Sequence, residues 1–339
     1  MNSAISPSDE SLSEPLEIPR VAVLGCGSIG RRHLSNLYAL GARDLVVFDA
    51  NPQIAEEETQ KYFGVMACSQ IEDVWATTPW SVLVASPSEF HLQMARRALE
   101  SGSHVFVEKP LSTSTAGLEE LAALAKSSKR TSMVACNMRF HPGPAMVRRL
   151  LQDGAIGSLL SYRVHTGSYL PHWRPAQDYR KSYSASIEHG GAILDCIHEL
   201  DLALWYAGPG KLLAAKSVPA RSIDLQTEGL AEILIEHDSG ALGSVHLNFM
   251  ERDYRRSCVC IGSEGTIEWN FSESAVLEYR PEPGKIVRHP LAEDWQINTM
   301  YVDEIRYFLT CALQNKPTFN SIQDNLGCLK LALEAKSRA

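Results

Sequence analysis

Two sets of residues in this chain have the types and spacing to hold a nucleotide and to move a proton. The first is Gly25-Cys26-Gly27-Ser28-Ile29-Gly30, a GxGxxG turn that follows the apolar run Val21–Gly25 and opens a helical pattern from Ser28 to Leu40. In such a turn Gly25 makes the tight bend, Gly27 lets the backbone approach a pyrophosphate, and Gly30 lets the helix pack closely on the strand. Ser28 and Ile29 lie where the helix presents its first N–H groups to an anion. The next apolar run, Asp44–Asp49, ends on a carboxylate. Asp49 is placed to accept hydrogen bonds from an adenosine ribose and to repel a 2′-phosphate. Ala50-Asn51-Pro52 supplies no cation to offset that repulsion, so NAD is expected over NADP.

The second set is Lys109, Asp195 and His198. Lys109 follows a strand candidate at Val105–Val107 and precedes Pro110, which disfavours helix before it. That puts an ammonium at the carboxyl end of a strand, where doubly wound sheets bind ligands, able to stabilise a developing alkoxide. The alternative is an ordinary loop lysine. Asp195 and His198 fall in a helical pattern over Ala192–Tyr206, whose apolar stripe is Ile193, Leu194, Ile197, Leu200 and Leu204. Three residues apart, the pair shares the other side of a regular helix, close enough for the carboxylate to hydrogen-bond the imidazole and fix its tautomer. That side also carries Leu202, Trp205 and Tyr206, too apolar for a solvated face. A covered Asp–His pair is either a satisfied structural histidine or a general base with its orienting carboxylate.

These groups need elements to position them, and the chain has two grammars. From residue 20 to about 142, apolar runs at Val21–Gly25, Asp44–Asp49, Ser81–Ala85, Val105–Val107 and Met133–Cys136 alternate with helical patterns. That is the signature of a Rossmann-type, doubly wound parallel sheet. From residue 143 to 339, helices at Pro144–Leu151 and Ala192–Tyr206 are mixed with longer strands and hairpins. Glu232–His237 turns through Asp238-Ser239-Gly240 into Ala241–Asn248, and Ser257–Gly262 turns into Thr266–Phe271. The expectation there is an α+β domain with a large, mostly antiparallel sheet. Helices over Asn298–Gln314 and Ile322–Lys336 close the chain and are placed to pack back on the first domain.

Composition bounds the rest. The 339 residues are 45% apolar and 21% charged, with a formal net charge of −8. No basic surface is available for nucleic acid, and no apolar run is long enough to span a bilayer. Residues 1–19 are rich in Ser, Glu and Pro and lack the basic and apolar regions of a secretory signal, so they read as a disordered tail. Eight cysteines form no CxxC, and Cys258 and Cys260 share one strand face. They read as core residues of a protein from a reducing, cytoplasmic compartment, and no cluster has metal-ligand spacing.

Ser86-Pro87-Ser88, His91, Ala95, Ala98-Leu99, Gly102 to Val105 and Glu108-Lys109-Pro110 together resemble the Gfo/Idh/MocA oxidoreductases, the glucose–fructose oxidoreductase and inositol dehydrogenase family. So do Asn137-Met138-Arg139-Phe140, the stretch from Gly190-Gly191 to His198-x-x-Asp201, and Gly262-Ser263-Glu264-Gly265-Thr266. The resemblance runs from residue 20 to 338. It implies hydride exchange between NAD and a secondary alcohol of a sugar, sugar derivative or cyclitol. It places Ser86, Pro87, His91, Glu108 and Lys109 at the cofactor, and Lys109, His198 and Asp195 at the substrate. The family usually spaces the aspartate four residues before the histidine, so the three-residue spacing here is a departure. The family fold also hosts non-catalytic regulators and hydro-lyases or glycosidases that use NAD transiently.

The loop His165–Arg174, continuing into Asp178-Tyr179-Arg180, interleaves rings, cations and hydroxyls in the manner of a polyol site. Arg139, Trp173, Arg174, Tyr179 and Arg180 are the candidate substrate contacts. The stretch is similar to family members that act on the way to nonulosonates or on related sugar nucleotides. The resemblance further implies homodimers or homotetramers formed through the second sheet.

Overall fold

A computed structural model describes residues 16–175, 177–282 and 284–339; the expected tail lies largely outside them. Two compact units result: residues up to Asn137 with Ile297–Leu326, and Met138–Gln296 with Gly327–Ala339.

In the first unit, short apolar runs form a parallel sheet with helices between successive strands. The strands are β1 (Val21–Leu24), β2 (Leu45–Phe48), β3 (Met66–Cys68), β4 (Ser81–Val84), β5 (His104–Val107) and β6 (Ser132–Val134). Between them run α1 (Ser28–Ala39), α2 (Pro52–Thr59), α3 (Ile71–Ala76), α4 (His91–Glu100) and α5 (Leu118–Ser128). Strand order is β3-β2-β1-β4-β5-β6, every pair parallel. Every residue of β1, β4 and β5 is buried, as a sheet covered on both faces requires. The order reverses between β1 and β4, which opens a crevice at their carboxyl ends. The strand β3 and helix α3 are additions to the sequence reading.

The second unit contains α6 (Pro142–Gln152), β7 (Leu159–Gly167), α7 (Ala192–Asp195), α8 (His198–Ala207), β8 (Gly210–Pro219), β9 (Glu228–His237) and β10 (Leu242–Asn248). It continues through β11 (Arg255–Gly262), β12 (Thr266–Asn270), β13 (Ala275–Tyr279) and β14 (Ile286–Pro290). The sheet order is β14-β13-β12-β11-β7-β10-β9-β8, antiparallel except for the parallel β7–β10 pair. Both expected hairpins are present as β9–β10 and β11–β12. One face buries Tyr162, Val164, Ile233, Ile235, Val245, Leu247, Cys258, Cys260, Ile267 and Trp269, with α6, α7 and α8 packed against the sheet. The opposite face carries Arg163, His165, Leu234, Leu242, His246 and Ile261 at alternate positions. All eight cysteines are buried and free.

The chain closes with α9 (Ile297–Leu313) and α10 (Ile322–Arg338). α9 lies on α1, where the Arg32 guanidinium sits over the Tyr301 ring at 4.4 Å and Asn298 donates to Asn36 at 2.9 Å. α10 passes from the first unit into the second. No helix among the described residues is long and apolar enough to cross a membrane.

One expectation is corrected here. Ala192–Tyr206 is not one helix: α7 ends at Asp195, Cys196 takes φ −96° and ψ 29°, and α8 starts at His198. The regular-helix geometry that placed Asp195 beside His198 therefore does not apply.

Candidate active site

Every candidate cofactor residue of the first unit lies on or beside a loop leaving the carboxyl end of a strand: Gly25–Gly30 after β1, Asp49 after β2, Ser86-Pro87 and His91 after β4, Glu108-Lys109 after β5. The glycines divide by task. Gly25 has φ +102°, and a Cβ there would stand 2.6 Å from the Ala85 carbonyl oxygen. A Cβ on Gly30 would stand 1.8 Å from the carbonyl oxygen of Gly25, so only glycine lets α1 start this close to the strand. Around Gly27 nothing lies within 4 Å of the Cβ position. Gly27 is also the N-cap of α1 and provides no side-chain cap. Open backbone N–H groups at a helix start, with no side chain over them, fit a dinucleotide pyrophosphate. Asp49 holds the turn from behind: its carboxylate accepts from the backbone N–H of Cys26 at 2.7 Å and of Asn51 at 2.9 Å.

Two residues assigned to the cofactor by resemblance spend their polar atoms inside the protein. Glu108 is buried, accepts from the Lys109 N–H at 3.1 Å, and meets His33 Nε2 at 2.6 Å. Burial alone would raise its pKa, but His33 and Lys109 outweigh that and hold the carboxyl below its usual range. His91 is also buried, and its ring spans two carbonyls, Pro110 at Nδ1 and Ser86 at Nε2, both at 2.8 Å. Burial pushes its pKa down against the pull of those carbonyls. Both residues brace the Glu108-Lys109-Pro110 turn from beneath, which leaves Lys109 half-buried at the sheet edge. The Lys109–Pro110 bond is cis.

In the second unit a 440 Å³ pocket is lined by Thr166, Ser168, Tyr169, His172, Trp173, Asp195, Cys196, Arg252, Tyr254 and Arg256. Asp195 enters it from the end of α7, which begins behind Gly191 at φ +91°. The Asp195 charge stands beside the Tyr183 phenol and raises that pKa well above its usual value. His198 is half-buried at the first position of α8. The next residue, Glu199, is fully buried and faces Arg256 at 2.7 Å. Burial works against the Arg256 charge, but Glu199 and Tyr254 hold its pKa above the usual value. Trp173 donates from its indole N–H to the Ser168 hydroxyl at 2.7 Å and meets Phe249 edge-on.

Of the five expected substrate contacts, only Trp173 lines this pocket. Arg139 makes two hydrogen bonds to Asp201, at 2.8 and 2.6 Å, and so anchors α8. Tyr179 donates to the Ile223 carbonyl, and Arg180 is exposed and paired with Asp178. Arg174 is exposed, close enough to Tyr183 to oppose the rise of its pKa. Residues 165–167 belong to β7 rather than to a loop. Arg252, Tyr254 and Arg256 were missed, although the charged run Glu251–Arg256 between two strands was a visible signal.

The first unit has a parallel sheet with an open glycine turn at its switch point, the arrangement of a dinucleotide-binding fold, and the second unit has a polar pocket on its own sheet. Residues 19–136 match the family model described as oxidoreductase family, NAD-binding Rossmann fold, and residues 145–268 match the GFO/IDH/MocA C-terminal domain. The chain belongs to the Gfo/Idh/MocA family of NAD-binding oxidoreductases. It is 30% identical over 274 residues to scyllo-inositol 2-dehydrogenase (NAD(+)) of Bacillus subtilis, covering 73% of this chain and 72% of that one. Levoglucosan dehydrogenase of Pseudarthrobacter phenanthrenivorans is 26% identical over 299 residues, covering 76% of this chain and 75% of the other. The solved structure of a levoglucosan dehydrogenase with NADH and L-sorbose superposes with a TM-score of 0.83 at 20% identity, covering 95% of this chain and 97% of that one, a likeness of fold.

Proposed function

We propose that this enzyme moves a hydride reversibly between NAD and a secondary alcohol carbon of a sugar, sugar derivative or cyclitol. The observations that carry this reading are a glycine turn open at Gly27 in the first unit and, in the second, a polar pocket that holds a carboxylate, Asp195. The named relatives, an inositol and a levoglucosan dehydrogenase, support the substrate class.

When bound, the nicotinamide supplies the hydride acceptor or donor. The rest falls to side chains of this chain. His198 takes the hydroxyl proton as the carbon is oxidised, and Lys109 stabilises the oxygen as charge develops on it. Asp195, set in the pocket wall beside Tyr183, orients the substrate hydroxyls. Glu108 and His91 keep the Lys109 turn in place through their bonds to the Lys109 N–H and the Pro110 carbonyl. The test is nicotinamide reduction on a panel of hexoses, sugar derivatives and cyclitols. Turnover of at least one is expected, and none across the panel would reject the reading.

We assign the open face of the second sheet to a second copy of the chain. Leu234, Leu242 and Ile261 are exposed there, around stacked His165 and His246 rings 4.7 Å apart. Eight free, buried thiols support work in the cytoplasm.

A further inference from the structure

The pocket holds two arginines with different surroundings. Arg256 stands opposite Thr166 across the β11–β7 pair and lines the pocket with Asp195, Cys196 and Tyr254. The Arg256 charge there is answered by Glu199. Arg252 lines the same pocket with Ser168, Tyr169, His172 and Trp173. The Arg252 guanidinium lies over the Tyr169 ring at 3.8 Å, and His172 meets the same ring edge-on at 4.8 Å.

Arg252 differs from the other cation of the pocket. Among the described residues no carboxylate comes within ion-pair distance of it, and no acceptor takes a hydrogen bond from it. The neighbouring Glu251 is turned elsewhere, to His165 at 2.8 Å and Asn248 at 3.1 Å. A cation over a ring uses none of its N–H donors in that contact, so the five donors of the guanidinium remain for a ligand. An unanswered guanidinium held on an aromatic face in a concave site is a seat for two oxygens of one anionic group.

We propose that the substrate carries an anionic group, a carboxylate or a phosphoryl group, and that Arg252 is the residue that selects it. The inference rests on the dehydrogenase reading only in taking this pocket as the substrate site. The Asp195 carboxylate in the same lining gives the bound molecule a direction. The anionic group is drawn to Arg252 and repelled from Asp195, which leaves a neutral carbinol for Asp195. Ser168 and His172, in the same lining, can add hydrogen bonds to the bound molecule.

The experiment is calorimetric titration of the NAD-loaded full-length protein with three matched ligands: glucose, glucuronate and glucose 6-phosphate. At least one anionic ligand is expected to bind roughly 10–100-fold more tightly than glucose, the range of a hydrogen bond to a charged group. The tighter of the two identifies the group as carboxylate or phosphoryl. Arg252→Gln, a change at an exposed position, is expected to remove the preference without altering NADH affinity, and Arg252→Lys to restore part of it. Equal binding of all three ligands, or a preference that survives Arg252→Gln, overturns the proposal. Anionic preference without any nicotinamide reduction would support the Arg252 assignment while counting against the dehydrogenase reading. Turnover confined to neutral sugars would do the reverse.

Discussion

The imidazole of His33 on α1 and the carboxylate of Glu108 after β5 meet at 2.6 Å, both buried in the first unit. The other oxygen of Glu108 receives the Lys109 N–H, so one carboxylate ties α1 to the turn that carries the ammonium. Glu108→Ala would leave His33 without this partner in a buried position and is expected to cost about 1–3 kcal/mol in denaturant unfolding. Glu108→Gln keeps an acceptor and should lose less. Equal stability of the alanine variant and the parent would show that the pair does not hold these elements together.

Gly27 and Gly30 make opposite predictions from the same loop. Alanine at Gly27 meets no atom within 4 Å, so stability should stay within about 0.5 kcal/mol while NADH affinity falls roughly tenfold. Alanine at Gly30 must displace the Gly25 carbonyl and should cost about 1–3 kcal/mol or more. Thermal unfolding and NADH fluorescence titration separate the two. Normal NADH binding by Gly27→Ala would move the pyrophosphate away from this turn.

Asp49 is expected to make NADH bind more tightly than NADPH, and Asp49→Ser to narrow the difference. Its carboxylate already holds the Cys26 N–H, so the variant should also weaken NADH binding itself. Equal affinity of the parent for both cofactors would remove Asp49 from the ribose site.

A stability change with pH is written into His141. Its Nδ1 caps α6 by accepting the Gly143 N–H at 3.0 Å, and its ring is packed among Trp269, Phe271 and Trp295. Burial, with Arg256 adding, pushes its pKa down to about 3 from 6.5. A histidine held neutral in the fold stabilises it fully above the unfolded pKa and loses that contribution as pH falls from about 6.5 toward about 3. His141→Asn keeps a capping acceptor without the titration, so its stability should fall less steeply across that window. Identical slopes for the two proteins in denaturant unfolding would contradict this.

Much of the first unit was legible because each step has a local cause. A short apolar run makes a parallel strand, GxGxxG needs its glycines, and Asp49 closes the next strand. The three-residue β3 was not legible: Met66 is exposed and only Cys68 is buried, so no periodicity marks it. The edge strand β14 buries nothing fully and gave no pattern either. The break between α7 and α8 falls at Cys196-Ile197, with neither glycine nor proline to signal it, so Asp195 and His198 read as one helix face. Arg252 and Arg256 stand in a charged run that is visible in the sequence, but nothing local ties that run to a pocket. Arg256 meets Thr166 through the β11–β7 pairing, and Arg252 meets Tyr169 where the chain after β7 runs beside the chain after β10, each across more than eighty residues of sequence. A pocket wall assembled by non-local pairing leaves no local motif.

In the proposed mechanism Lys109 and His198 carry the chemistry and the glycine turn carries the cofactor. The decisive measurement is single-turnover nicotinamide reduction in Lys109→Met and His198→Asn, each saturated with NAD and a substrate found in the panel. Rates lowered roughly 10²–10⁴-fold with NADH affinity nearly unchanged are expected. Near-parental rates in either variant would contradict the mechanism.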